Sequence, residues 1–290
     1  MTELDVALRD GRTLHVYDEG DPGGHVVVQH HGTPGSGLSY PPDLELARER
    51  GLRIVSYDRA GYGGSTPNPG RRVADVVPDI EDVLDELGIE RYAAFGGSGG
   101  CPHSFACGAL SARCIAAAAI ACPAPYEAEG LDWLAGQGEQ NQEEWAAALA
   151  GPEALEPYLE HEAAEARAAT PEQIKDLLAT VLPPVDAAVL TGDRAEHSKR
   201  GIDRALEHGI AGWRDDDLAF MHAWGFELDE IRVPTLLWQG VQDKMVPLAH
   251  AHWIAERIPG VEAHISEEDG HLSIAVGRLG EILDWLDDQF

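Results

Sequence analysis

Lysine is nearly missing from this chain. Lys175, Lys199 and Lys244 are the only three in 290 residues, and the 21 basic side chains face 51 acids for a formal net charge of -30. Such a chain repels polyanions, which excludes nucleic acid and anionic membrane surfaces as partners and predicts a neutral or cationic small-molecule substrate. Long apolar runs are missing too. No stretch reaches the roughly 18 apolar residues of a membrane span, and the start Met1-Thr2-Glu3-Leu4-Asp5 carries early acids where a leader would be basic and then apolar. The expected location is the cytoplasm, with no membrane contact. Cysteine is scarce. Cys101, Cys107, Cys114 and Cys122 sit at spacings that match neither a zinc site nor a C-x-x-C redox pair, so reduced structural thiols are expected. His250 and His252, two apart on an expected helix, point in different directions, which argues against a metal. No cofactor is called for.

What remains is ordinary in bulk and organised in detail. A hydrophobic fraction of 44% and a charged fraction of 25% place the chain among globular proteins, large enough for a substantial core. The first third alternates short strand-like runs (Thr13 to Tyr17, His25 to His30, Arg53 to Tyr57, Tyr92 to Phe95) with helical ones. Val73 to Leu87 carries apolar residues at three-and-four spacing and stops at Gly88. Cys114 to Cys122 is continuously apolar, the pattern of a strand covered on both faces of a parallel sheet. From Tyr126 to about Glu230 the rhythm turns Ala- and Glu-rich and helical. A strand at Thr235 to Gln239, a helix at Ala249 to Arg257, a strand at Glu262 to Ile265 and a helix from Ser273 then restore the alternation. The expected architecture is an α/β core over residues 1–125 and 231–290, with residues 126–230 as a helical insertion.

The chemistry gathers at strand ends. Gly96-Gly97-Ser98-Gly99-Gly100 follows the strand Tyr92 to Phe95 and spells G-x-S-x-G, where a sharp strand-to-helix turn would lift the Ser98 hydroxyl clear of the sheet. Asp243 follows the strand Thr235 to Gln239, and His271 follows the last strand. Ser, Asp and His in that order, each past a carboxyl strand end, can converge: the imidazole takes the serine proton and the carboxylate fixes its tautomer. After the strand His25 to His30 comes the turn His31-Gly32-Thr33-Pro34-Gly35. Backbone N–H groups of Thr33 and Gly99 are the expected oxyanion donors.

On these residues the chain resembles the α/β-hydrolase fold superfamily, in the branch with a helical cap inserted after the sixth strand. The matching pieces are His31 to Gly35, the D-R-x-G-x-G-x-S stretch Asp58 to Ser65, the elbow at Ser98, Gly240 to Pro247, and Gly270-His271. The resemblance implies a mostly parallel twisted sheet flanked by helices, Ser98 as nucleophile, Asp243 as acid and His271 as base. It sets aside haloalkane dehalogenase and typical epoxide hydrolase chemistry, whose nucleophile is an aspartate. Glu127, just past the sixth strand, is the alternative acid. His30 is expected to order the oxyanion turn and His103 to pack in the first turn of the nucleophile helix. Asp58 and Arg59 are expected to hold the loop before Gly61.

The reading placed first is a cofactor-free serine esterase acting on neutral carboxylic esters through an acyl-Ser98 intermediate. Second is a proline iminopeptidase-like aminopeptidase, with cap acids such as Asp215, Asp216 and Asp217 holding a free amino terminus. That family usually shows glycine at the position of Thr33 and tryptophan at that of Gly99. A third is a ligand-binding receptor on the same fold. Asp215 to Asp217 are otherwise expected at a solvent-facing helix start. Phe220, Met221 and Trp224 are expected in the substrate pocket, and Glu267, Glu268 and Asp269 to favour the charged form of His271.

Overall fold

The computed structural model describes residues 2–290. Runs rich in Val, Ile and Ala form its centre. The strands are β1 (Thr2–Ala7), β2 (Thr13–Gly20), β3 (His25–His30), β4 (Leu52–Tyr57), β5 (Tyr92–Gly97), β6 (Cys114–Ile120), β7 (Thr235–Gly240) and β8 (Glu262–Ser266). They make one eight-stranded sheet in the order β1-β2-β4-β3-β5-β6-β7-β8. β1 and β2 run antiparallel at one edge, and every pairing from β4 to β8 is parallel. β7 is buried along its whole length, as expected of a parallel strand covered on both faces. The edge strand β1 lay outside the sequence expectation because Thr2-Glu3-Leu4-Asp5 reads as polar. Its acids stand on the exposed side, and only Val6 is buried.

The helices are α1 (Pro41–Arg48), α2 (Val76–Glu86), α3 (Cys101–Leu110), α4 (Glu139–Ala150), α5 (Pro152–Ala168), α6 (Ile174–Leu177), α7 (Pro184–Val189), α8 (Gly192–Ala205), α9 (Ala211–Phe220), α10 (Leu248–Ala255), α11 (His271–Gly277) and α12 (Leu279–Asp287). α2, α3 and α10 cover one face of the sheet, with Val77, Ile80, Leu84, Phe105 and Ile254 in its core. α1, α11 and α12 cover the other through Leu44, Ile274, Ile282, Leu283 and Leu286. This is the doubly covered sheet of an α/β-hydrolase fold. Between β6 and β7 the chain forms α4 to α9 and no strand. α5 turns Leu155, Leu159 and Ala163, spaced by four, into the shared core. The four cysteines are buried and unpaired.

The fold is tightly packed where β5 turns into α3. Ser98 holds a left-handed backbone, φ 53°, which a non-glycine residue adopts only when its surroundings enforce it. Gly96 and Gly100 are those surroundings. A Cβ on Gly96 would overlap the Gly100 carbonyl, and one on Gly100 would overlap the His30 carbonyl. The strand, the turn and β3 therefore touch backbone to backbone. Gly51 also has a positive φ, 67°, but nothing lies within 4 Å of a Cβ built there. Gly100→Ala should cost about 3 kcal/mol through overpacking, whereas Gly51→Ala should cost only the left-handed backbone penalty of about 1–2 kcal/mol. Urea unfolding of the two variants checks this order, and equal losses would contradict it.

Candidate active site

Three strand ends deliver three side chains to one place. Ser98 follows β5, Asp243 lies in the loop after β7, and His271 opens α11 after β8. His271 Nδ1 lies 2.8 Å from Asp243 Oδ2, both side chains buried. Asp243 is held in turn by three donors: Met245 N at 2.8 Å, Val246 N at 2.8 Å and Gln239 Nε2 at 3.0 Å. With all its contacts donating, the carboxylate accepts the imidazole Nδ1–H, which leaves Nε2 as the basic nitrogen. Ser98 and His271 line the same cavity of about 330 Å³. Glu127, the alternative acid, is exposed and does not line it.

Burial pulls the His271 imidazole down, but the charge and hydrogen bond of Asp243, aided by the charge of Asp186, outweigh it and hold the pKa above the ordinary histidine value. The expected contribution of Glu267, Glu268 and Asp269 is not what the structure shows. Asp269 accepts from Ser266 Oγ at 2.6 Å and faces Arg278, and the carboxylates acting on His271 come from β7's loop and from α7. Sequence proximity misled here because the last strand turns those acids away.

Thr33 and Gly99 meet beside Ser98. The Thr33 amide nitrogen lies 3.2 Å from where a Gly99 Cβ would stand, and the Ser98 Cβ lies 3.5 Å from where a Gly32 Cβ would stand. The turn from Gly32 to Pro34, which contains a cis Thr33–Pro34 peptide, and the start of the Ser98 turn both line the cavity. Arg59, 2% exposed, fixes that turn: its guanidinium donates to His31 O at 2.8 Å, Gly32 O at 3.3 Å and Thr33 Oγ1 at 3.1 Å. The expectation tied Asp58 and Arg59 to the loop before Gly61. Asp58 does hold loops, accepting from Gly37 N at 2.9 Å and Gly64 N at 3.0 Å. Arg59 reaches further, into the turn from His31 to Thr33.

The charge opposite Arg59 is Asp216 of α9. Its carboxylate pairs with Arg59, with Arg71 Nη1 at 2.7 Å and with the Tyr62 hydroxyl at 2.8 Å, and it accepts the Thr33 hydroxyl at 2.7 Å. Burial alone would raise its pKa. The Arg59 and Arg71 charges drive it well below the ordinary value instead, with His103 Nε2 3.7 Å away. His103 sits in the first turn of α3, with burial lowering it to about 4. His30 is buried against the Tyr57 hydroxyl at 2.7 Å, and burial likewise holds it well below the usual histidine value. His250 also lines the cavity; burial lowers it to about 4, and both its nitrogens are engaged, with Ala124 N and Trp133 O.

The solvent-facing reading of Asp215 to Asp217 is corrected. They lie in the middle of α9, whose helix begins at Ala211, and all three are buried. Asp215 pairs with Arg214 at 2.8 Å. Only Asp217 reaches the cavity, where Glu144 of α4 and Glu162 of α5 join it. Neither Asp217 oxygen meets an N–H or hydroxyl donor among the described residues. Burial first, then the neighbouring Glu144 and Asp216 charges, raise Asp217 well above the ordinary value, and burial raises Glu144 to about 7. Trp213 Nε1 steadies Glu144 at 2.7 Å. The remaining wall is mostly apolar, with Trp133, Trp145, Leu177, Ile202 and Phe220 prominent and the amides of Gln137, Gln140 and Asn141 among them. Phe220 thus lines the cavity. Met221 and Trp224 do not line the cavity; they pack in the core, Trp224 with its ring centroid 5.9 Å from that of Phe226. The α9 helix ends at Phe220, so the residues after it turn away.

The model of the α/β hydrolase fold family matches residues 25–277, and the chain belongs to that family. Among curated proteins it is similar to a probable proline iminopeptidase from Leptolyngbya boryana, 27% identical across 95% of this chain and 90% of that protein. It also resembles epoxide hydrolase B from Mycobacterium tuberculosis, 29% identical over 49% of this chain and 42% of that one. A solved hydrolase from Pseudomonas aeruginosa superposes with a TM-score of 0.73 at 21% identity, covering 98% of both chains.

Removing the Asp216 charge leaves two buried guanidinium groups facing each other. Asp216→Asn should therefore destabilise the chain by about 3–5 kcal/mol. Urea unfolding measures this, and a loss below about 1 kcal/mol would contradict the pairing described.

Proposed function

We propose that this chain is a serine hydrolase that forms an acyl-Ser98 intermediate on substrates whose acyl group carries a free amino terminus, an aminopeptidase-type activity like that of proline iminopeptidases. The observation that carries the reading is the buried, donor-starved Asp217 beside Glu144 and Glu162 in the cavity that Ser98 and His271 line. Three carboxyls enclosed by tryptophans form a poor wall for a neutral ester. They suit an ammonium group, which brings the missing donors and a compensating charge. The similarity to the Leptolyngbya boryana protein over nearly its whole length supports the same reading.

His271 Nε2 takes the Ser98 hydroxyl proton as the oxygen attacks the substrate carbonyl carbon. The carbonyl π electrons move to its oxygen, which accepts hydrogen bonds from Thr33 N–H and Gly99 N–H. Collapse of this intermediate breaks the bond to the leaving group, which takes the proton from the imidazolium. Water then repeats the sequence on the acyl-serine: His271 accepts its proton, hydroxide adds, and Ser98 leaves with that proton. Asp243 keeps the imidazole in one tautomer and stabilises its charged form throughout. In this reading residues 126–230 act as a cap over the site, with α4, α5 and α9 supplying the ammonium subsite. Neutral carboxylic esters would pass through the same steps, but they leave the three carboxyls without a role.

Prolyl p-nitroanilide should be turned over with a kcat/KM at least about a hundredfold above that of its N-acetyl derivative, since the blocked amine forfeits the carboxyl contacts. Ser98→Ala should abolish turnover of both. Comparable rates on the N-acetyl compound, or a preference for p-nitrophenyl butyrate, would return the neutral-ester reading to first place. Binding without repeated turnover would indicate a receptor. Retained turnover by Ser98→Ala defeats the nucleophile assignment.

The carboxyl pair also sets a pH dependence. An ammonium group is held by the ionised pair, and Glu144 takes up its proton near pH 7. KM for the amine substrate should therefore rise as pH falls below about 7, and a pH-independent KM would speak against Glu144. Stability should move the other way. A carboxyl whose pKa is raised on folding opposes the folded state above its unfolded pKa, so folding loses stability as pH climbs toward neutrality. Glu144→Gln should raise the melting temperature at pH 8 while weakening the preference for the free amine. A variant that loses stability at pH 8 would contradict this.

A further inference from the structure

Asp186 of α7 is fully buried and has no cationic partner among the salt bridges of the described residues. It does have the backbone that carries His271. Asp186 Oδ2 accepts from His271 N at 2.7 Å; Oδ1 accepts from Leu272 N at 3.0 Å, Ser273 N at 2.8 Å and Ser273 Oγ at 2.8 Å. Ser273 Oγ, having donated to Asp186, accepts from Gly270 N at 2.8 Å. Four successive amides, 270 to 273, are thereby held by one carboxyl and one hydroxyl. Gly270 is what lets the carboxyl approach: a Cβ there would stand 2.5 Å from Asp186 Oδ2.

The site contains few other charges. Asp243, from the loop after β7, is the hydrogen-bond partner of the imidazole, and Asp186 is the second carboxyl whose charge acts on it. The Ser98 hydroxyl belongs to the turn before α3. His250 of α10 shares the cavity but is held neutral near pH 7, its pKa lowered to about 4 by burial. Glu144, Glu162 and Asp217 also line the cavity, and none of them is among the groups that shift His271.

We propose that Asp186, supplied by the helical segment between β6 and β7, is a positioning residue for His271 that also provides the second negative charge for the imidazolium formed during catalysis. All four contacts to Asp186 donate, the arrangement of a carboxylate. The one cation that forms close to it is the protonated His271 of the transition state. A buried anion without a resident partner stabilises a transient cation more than one already neutralised. Segment and sheet thus act together: the sheet supplies His271 and Asp243, and the insertion fixes the angle at which the imidazole leaves the backbone. The inference rests on the serine-hydrolase reading, but not on any choice of substrate.

The test uses diisopropyl fluorophosphate, whose inactivation rate reports the basicity of His271 toward Ser98 whatever the natural substrate. Native chain, Asp186→Asn and Ser273→Ala are compared between pH 5 and 9, with folding followed by circular dichroism. Asp186→Asn should be inactivated at least about tenfold more slowly. The acidic limb of its pH profile should move to lower pH, because the lost charge had favoured the imidazolium. Ser273→Ala keeps that charge while loosening the backbone, so its rate should fall with the limb unmoved. Folded Asp186→Asn with native rates and a native limb would overturn the proposal, as would slower inactivation with an unmoved limb, which marks a purely structural role. If Asp186→Asn does not fold, native rates in Ser273→Ala overturn it. Failure of the native chain to be labelled at Ser98 would sink the serine-hydrolase reading itself, a result distinguishable from all of these.

Discussion

The buried Asp216 carboxylate is the joint on which the site depends. Desolvating one acid and two guanidinium groups is costly, and the cost is met only while all three stay together with Tyr62 and Thr33 completing their hydrogen bonds. Because Arg59 also carries the His31 and Gly32 carbonyls, the shape of the turn from His31 to Thr33 depends on a residue 157 positions after Arg59 in the chain. Such a network adds little net stability compared with an apolar core of equal volume. Its effect is registry: α9 has one position over the sheet at which no buried charge is left alone.

Acids on the helical segment between β6 and β7 reach the site in three different electrostatic states, and the state of each indicates its use. Asp216 is matched by cations and is therefore structural. Asp186 is matched by backbone and hydroxyl donors, which hold its position while leaving its charge free to act on His271. Among the described residues Glu144 is met by the Trp213 indole N–H and Asp217 by no donor, and burial raises both above the ordinary carboxyl value, so in the proposed function an arriving cation would favour loss of the proton they retain. In the proposed mechanism the same side-chain chemistry gives a tie, a positioning group and a binding surface. Solvation and partners make the difference.

Much of the core was legible because its signals are local. Alternation of strand-like and helical runs predicted the sheet, the glycine spacing around Ser98 predicted the elbow, and the order of Ser98, Asp243 and His271 past strand ends placed them at one edge. The acids of the helical segment were not legible in the same way. Asp215, Asp216 and Asp217 look like one solvated cluster in sequence, yet the helical rotation between neighbours sends them to Arg214, to Arg59 with Arg71, and to the cavity. Nothing within a few residues of Asp216 marks Arg59 as its partner. Asp186 left one faint trace, the glycine at Gly270. A glycine before a candidate histidine reads as turn chemistry until the carboxyl occupying its missing Cβ is seen.

The two departures from the proline iminopeptidase pattern, Thr33 and Gly99, are one structural change rather than two. A Cβ on Gly99 would overlap the Thr33 hydroxyl oxygen and stand 2.9 Å from the Thr33 Cβ, so a side chain at position 99 and a threonine at 33 exclude each other. Thr33 cannot swing aside, because its hydroxyl donates to Asp216 and accepts from Arg59. The turn from Gly32 to Pro34 therefore takes its lateral support from the α9 network, and glycine at position 99 leaves room for the Thr33 side chain. Thr33 N and the Gly99 backbone meet beside Ser98, and in the proposed mechanism an oxyanion would be bound by those amides, not by either side chain. The pattern a family shows at such positions reports how the turn is braced, while the chemistry depends on where the two amides end up.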